Sequence, residues 1–310
     1  MNKERRLVRD VVVQTIPLDI CISDETFRAH PPLQGKLDLG DELWVGSLGH
    51  KTVLAIFDAC TPKGLNFNPP AEYGYRYLFV RESSVAGVPS LSWDEDRKLR
   101  DCILLSRLIQ PTTISTRFSA RLSYRNGVDS ELPLMIVPGD TQGMSAFAWV
   151  NGPYWRNYLT NEDGLALARL ISRYKYEDLP MRVRRALRYF ELSCLTYYPD
   201  ARLTQIVVGL ESLINTHDKD VKRKFKKRIA KLSTEFGKLI PDDIAGRAYS
   251  YRSSLVHGQS LDWDNISSDF KNIYAALELL LRQVLKKCIL ETAFRSRFES
   301  NVSIDTAYPV

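Results

Sequence analysis

The sequence predicts a two-domain α+β chain, with a mostly β N-terminal domain over residues 1–158 and an all-α helical bundle over 159–300. Three observations predict it. Short apolar runs broken by turn residues fill the first half, apolar residues recur at three- and four-residue spacing in the second, and a Gly-Pro and aromatic cluster lies between them. A chain of 310 residues is long enough for two cores, and 44% hydrophobic with 26% charged residues excludes a disordered or collagen-like polymer.

In order along the chain, strands are predicted at residues 8–13, 42–47, 52–57, 75–80 and 132–137. Gly49-His50 offers a tight hairpin between two of them, because glycine accepts the positive φ of a II′ turn. One helix interrupts this half: Ser92-Trp93-Asp94-Glu95 resembles a capping box, and Leu99, Cys102, Ile103 and Leu108 follow at helical spacing until Pro111. The boundary is placed where Gly152-Pro153 sits among Phe147, Trp149, Tyr154, Trp155 and Tyr158, aromatics that suit packing at a junction.

Beyond it five apolar stripes predict helices. They are Val183, Leu187, Phe190, Cys194 and Tyr197; then Leu203, Ile206, Val207, Leu210 and Ile214 after Pro199-Asp200; then Phe225, Ile229, Leu232, Phe236 and Leu239. Ile244, Ala248, Tyr251 and Leu255 make a fourth, and Ile266, Phe270, Ile273, Leu277, Leu281, Val284 and Cys288 a long fifth. Short connections between them favour antiparallel neighbours. Residues 301–310 show no pattern and are expected to fray.

Several function classes drop out. Five scattered cysteines without a CxxC pair suggest neither a disulfide framework nor a zinc site, and fit a reducing cytoplasm. No run of about 18 apolar residues predicts a membrane span, and the apolar segment after the charged N-terminus is too short for a secretory signal. Zincin, P-loop, nucleophile-elbow and dinucleotide-binding motifs are missing, so no metal or cofactor is expected. His30 and His50 lie in turn-like surroundings without metal-ligand spacing. Tyr73, Tyr75, Arg76 and Tyr77 interleave aromatics with a cation, a pattern of ordinary strands as well as of single-strand stacking.

What remains is the segment YRSSLVHG, residues 251–258, in which Arg252 and His257 stand five apart and Gly258 supplies a helix stop. On one straight helix such residues diverge by about 140°. Convergence on one point therefore needs a helix break, the reach of the arginine, or a second protomer. With FKKRIAKL, RALRYFELSC and IVVGLESLI before it, this segment resembles the Apea-like branch of the HEPN superfamily (higher eukaryotes and prokaryotes nucleotide-binding) over roughly residues 160–295. The resemblance implies an all-α HEPN helical bundle that forms a homodimer, and a metal-independent endoribonuclease in a toxin-like or antiviral role. It makes Arg252 and His257 the catalytic pair, Ser253 the polar residue after the arginine, and Glu211 an acid that orients the arginine. It also implies that 1–158, which resembles no family, senses an unknown trigger or restrains the nuclease.

The chemistry is sound on its own terms. RNA carries its nucleophile, so a site need only deprotonate a 2′-hydroxyl, stabilise the anionic phosphorus centre and protonate the departing 5′-oxygen. A histidine of ordinary pKa about 6.5 exchanges protons near neutrality, and an arginine fork binds two phosphoryl oxygens. The net charge of +6 becomes local in residues 219–231, where Lys222, Arg223, Lys224, Lys226, Lys227 and Arg228 surround an apolar stripe, an RNA-backbone surface or equally a solvated face. A second cluster comprises Arg182, Arg184, Arg185 and Arg188. Two rivals stand beside the nuclease: an inactive HEPN scaffold that binds RNA or a nucleotide, and a regulatory protein whose basic helix docks an acidic partner.

Overall fold

The computed structural model describes residues 6–16, 29–31, 33, 37–40, 43–45, 74–85, 97–110, 118–124, 132–138, 159–196, 198–216, 219–237, 240, 242–258 and 268–310. They divide into two units, the first ending at Ser172 and the second running from Arg173.

In the first unit, the valine-rich run of β1 (Arg6–Ile16) pairs antiparallel with β4 (Gly74–Val85) on one side and β5 (Phe118–Tyr124) on the other. The short strands β2 (Leu37–Gly40) and β3 (Leu43–Val45) extend the sheet beyond β4, and β6 (Leu132–Pro138) extends it beyond β5, giving the order β2-β3-β4-β1-β5-β6. Helix α1 (Arg97–Ile109) buries Cys102, Ile103, Leu104, Leu105 and Leu108, covering more than one face, as a helix enclosed by its unit does. Helix α2 (Asn161–Arg173) starts from a reciprocal cap: the Asp163 amide donates to Thr160 Oγ1 at 3.2 Å and the Thr160 amide to Asp163 Oδ2 at 2.9 Å.

Two expectations change here. The fold-class expectation is corrected: the described residues are predominantly helical, and what is described of 1–158 is strand segments and helix α1, not a mostly β domain. The helical excess comes from the second unit, whose described elements are all helical, while most of residues 1–158 lie outside the described ones. The predicted strand at 52–57, the Gly49-His50 hairpin, the capping box and the aromatic junction lie outside the described residues, as do the side chains of β4. The division between units also falls later than 158. The Leu33 amide donates to Leu159 O at 2.8 Å, and Gly164 lets the Leu33 and Leu37 side chains lie against α2, a β-carbon there falling 2.6 Å from Leu37 Cδ2. Helix α2 thus packs with the first unit.

The second unit consists of α3 (Met181–Leu195), α4 (Pro199–Ile214), α5 (Val221–Thr234), α6 (Asp242–Val256), α7 (Ser268–Leu290), α8 (Thr292–Arg295) and α9 (Asn301–Ala307). Proline opens α4 at a position where its missing N–H is no loss, with Asp200 in the first turn to complement the helix dipole. The predicted stripes face inward: Val183, Leu187, Phe190 and Cys194 of α3, all five of α4, and Phe225, Ile229 and Leu232 of α5 are buried. Phe270, Ile273, Leu277, Leu281, Val284 and Cys288 of α7 are buried too, whereas Tyr251 and Leu255 of α6 are half-buried. α3 packs on α4, α5 on α6, and α7 touches α3, α4 and α6. Polar groups enter this core in partnership: Arg202 donates to the carbonyls of Thr196 and Cys194, and Arg282 pairs with Glu278 one turn away.

Residues 301–310 correct a third expectation, for they form α9 and its end rather than a frayed tail. Ser300 caps the helix, accepting from the Ser303 amide at 3.0 Å, and Ile304 and Tyr308 are buried. Tyr308 stacks on Phe298 at 6.1 Å, Phe298 meets Phe294 edge-on at 5.5 Å, and the Tyr308 hydroxyl donates to Glu235 Oε1 at 2.9 Å. Burial pushes the Tyr308 phenol up, so it remains a donor. Tyr308→Ala should lower unfolding stability by about 3 kcal/mol in urea titrations. A loss below about 1 kcal/mol would show that α9 rests on the bundle without supporting it.

Candidate functional site

Helices α4 and α6 bring two of the predicted residues together. Glu211 lies in the last turn of α4, Arg252 in the penultimate turn of α6, and Arg252 Nη2 stands 3.6 Å from Glu211 Oε2. Both are partly shielded, with 29% of the Arg252 side chain and 12% of the Glu211 side chain exposed. At 3.6 Å this is an ion pair rather than a hydrogen bond, and Arg252 Nε is buried without a hydrogen-bond partner. The guanidinium therefore keeps N–H donors that Glu211 does not occupy.

Burial raises the Glu211 carboxyl above its usual value, and Arg252 opposes the rise, as do hydrogen bonds from Asn215 and Tyr249. A raised carboxyl favours the folded state while protonated, so this contribution is present below the unfolded carboxylate pKa and is lost as pH rises through the folded one. Removing the guanidinium strips away the largest opposing influence. Arg252→Met should therefore move the Glu211 titration further upward, as followed by carboxyl-carbon NMR; an unmoved or lowered midpoint would contradict the pairing.

His257 stands just past the end of α6. Its amide donates to the carbonyls of Ser253 and Ser254 at 3.1 Å, and Gly258, at φ 84°, turns the chain away with its amide on Leu255 O. The imidazole is exposed, and no hydrogen bond or ion pair links it to Arg252 among the described residues. Ser253 is half-buried and contributes its carbonyl to this cap. One chain thus joins Arg252 to Glu211 and leaves His257 open to solvent.

The basic helix flanks the same helix α6. Lys222 Nζ donates to Ser250 Oγ at 3.0 Å, two residues before Arg252, and the Lys226 stem lies over Gly246, where a β-carbon would stand 3.2 Å from Lys226 Cδ. Lys222, Arg223 and Lys227 are exposed, Lys224 and Lys226 half-buried. A cavity of about 450 Å³ is lined by Asp220, Val221, Lys222, Arg223, Lys226 and Lys227.

Arg228 does not belong to this surface. It is 2% exposed, donating to Tyr308 O at 3.0 Å, to Thr216 Oγ1 at 3.1 Å, to Ile214 O and to Asp305. Its expected RNA contact is corrected for a geometric reason: it lies three residues after Phe225 and four before Leu232, on the inward face. Arg182 of the second cluster is likewise engaged, donating to Ser212 O at 3.2 Å and Asn215 O at 2.6 Å and pairing with Asn301. Burial and the neighbouring Arg228 lower its pKa.

The sequence reading missed Tyr249 and Asn215, although Tyr249, three residues before Arg252, shares its helix face. His50 and His217 lie outside the described residues. Among the described residues no group of three or more His, Cys, Asp and Glu side chains could hold a metal ion, and no helix is long and apolar enough to cross a membrane. In comparisons with known proteins, no family model, curated protein or solved structure matches the chain.

Proposed function

We propose that the chain is a HEPN-type, metal-independent endoribonuclease of the cytoplasm, acting as a homodimer in a toxin-like or antiviral role. The observation that carries the reading is the Glu211–Arg252 pair on α4 and α6, beside the exposed cations of α5, with His257 at the open end of the same helix. Arg252 binds the scissile phosphate through the donors that Glu211 leaves, and stabilises charge as the 2′-oxygen bonds to phosphorus. His257 takes the 2′-hydroxyl proton; the bond to the 5′-oxygen breaks, and that oxygen leaves protonated. A twofold partner supplies a second imidazole for the departing oxygen and brings both residue types into one cleft. The products are a 2′,3′-cyclic phosphate and a 5′-hydroxyl.

Incubating single-stranded and structured RNAs with the purified protein in EDTA, beside Arg252→Ala and His257→Ala, tests this. Cleavage by the wild type alone supports it, and equal cleavage by all three refutes it. The separation of Arg252 from His257 within one chain favours a second reading, a dimeric HEPN scaffold that binds RNA without cutting it. RNA retained by the protein and recovered intact would select that reading.

Affinity should fall steeply with salt, because each lysine or arginine on a phosphate releases counterions. Replacing Lys222, Arg223 and Lys227 together by glutamine should flatten the logarithmic salt dependence by roughly two to three counterions. An unchanged slope would take α5 out of the RNA interface.

A further inference from the structure

The geometry points to the outer stripe of α3 as a docking surface for an amphipathic helix of a partner protein, apolar at both ends and carrying carboxylates at its centre. The inference goes beyond the ribonuclease reading and does not depend on it. While Val183, Leu187, Phe190 and Cys194 turn inward, Met181, Arg185, Arg188, Leu192 and Leu195 are all exposed. Their spacing is four, three, four and three residues, the period that keeps one seam facing a second helix, and they fall within an arc of about 80°. Tyr198, exposed where α4 begins, continues the apolar end of the stripe past Leu195.

The residue types say what covers the stripe. Methionine, arginine and tyrosine are the types that protein interfaces concentrate, whereas lysine, which shares the outer side of α5, is depleted there. A nucleic-acid backbone is held by cations and polar groups, and gives exposed Met181, Leu192 and Leu195 nothing to bury against. At the centre of the stripe the charge is one-sided. Among the described residues no hydrogen bond or ion pair engages Arg185 or Arg188, and Glu191, the single acid of α3, is half-buried off the stripe. No acid stands in the first turn to offset the helix dipole. Carboxylates set opposite Arg185 and Arg188 would pair with both guanidinium forks while apolar residues close over the two ends. A second copy of α3 is the poorer occupant. Laid antiparallel along the stripe it sets Arg188, the midpoint, against Arg188, and laid parallel it sets both arginines against themselves.

Two synthetic helical peptides test this on the full chain, each with leucines at the same four-and-three spacing and, at two central seam positions, glutamates in one and lysines in the other. By fluorescence anisotropy the glutamate peptide should bind about tenfold more tightly than the lysine peptide, or better. Arg185→Glu combined with Arg188→Glu should reverse that preference, a gain of binding that a misfolded variant would not show. Leu192→Ser combined with Leu195→Ser should weaken the glutamate peptide by about tenfold or more, through lost apolar burial. Equal binding of the two peptides, binding of neither, or a preference that survives the charge reversal would overturn the inference. Where neither peptide binds, RNA affinity lost with the arginine pair alone would assign the stripe to nucleic acid instead. A wild-type dimer that the leucine variant splits in sedimentation would place a second copy on the stripe, and that also overturns it. None of these readouts requires cleavage, so failure of the ribonuclease reading leaves them standing.

Discussion

His257→Ala is expected to reduce RNA cleavage by roughly 10²–10⁴-fold, the range general acid–base groups contribute, while leaving folding and RNA affinity in place. The expectation separates cleanly from a structural effect. The imidazole is exposed, and the cap that ends α6 is made by the His257 and Gly258 amides, which alanine at position 257 preserves. Circular dichroism and salt-dependent RNA binding should match the wild type, so a lost rate points to proton transfer. Activity within about twofold of the wild type would remove His257 from the chemistry.

Arg228→Met is expected to have the largest effect on stability, a loss of about 3–5 kcal/mol, the scale for breaking a buried, hydrogen-bonded ion pair. The arginine fork satisfies two buried carbonyls, Ile214 O at the end of α4 and Tyr308 O beyond α9, together with Thr216 and Asp305. Methionine fills similar space and leaves those acceptors unsatisfied. Lysine keeps the charge but presents no planar fork, so Arg228→Lys should fall between the two. Urea unfolding measures both, and a shift below about 1 kcal/mol for Arg228→Met would contradict the burial. The salt slope of RNA binding is expected to stay unchanged in a variant that remains folded, which distinguishes Arg228 from its exposed neighbours.

That contrast shows where sequence pattern suffices. The stripes of α3, α4, α5 and α7 were legible because burial selects apolar residues at helical spacing, and Gly258 was legible as a stop because it alone in its segment accepts a positive φ. Glu211 was placed opposite Arg252 by family resemblance, and the two helices do bring them within 3.6 Å. Arg228 was not legible from composition, since six cations in seven residues look alike; only its i+3 and i−4 relation to Phe225 and Leu232 marks it as inward. The partners that satisfy it are Ile214, Thr216, Asp305 and Tyr308, distant in sequence, and local patterns carry no such information. The same holds for α9 and the residue that ends it, where only Ile304 and Tyr308 are buried, too few to register as a stripe. In the first half the runs at 8–13, 75–80 and 132–137 fall within β1, β4 and β6, and a strand passed over is β5, where Phe118, Ala120, Leu122 and Tyr124 alternate with Ser119, Arg121 and Ser123.

The nuclease reading turns on one chemical claim, that the RNA supplies its own nucleophile to Arg252 and His257. The most direct measurement uses a single-stranded RNA with one 2′-deoxy nucleotide at a cleaved position, incubated with the purified protein in EDTA and analysed by mass spectrometry beside the all-ribose strand. Cleavage of the all-ribose strand to a 2′,3′-cyclic phosphate and a 5′-hydroxyl, with refusal at the deoxy linkage, is the predicted result. Cutting at the deoxy linkage, or an all-ribose strand recovered intact, would contradict it.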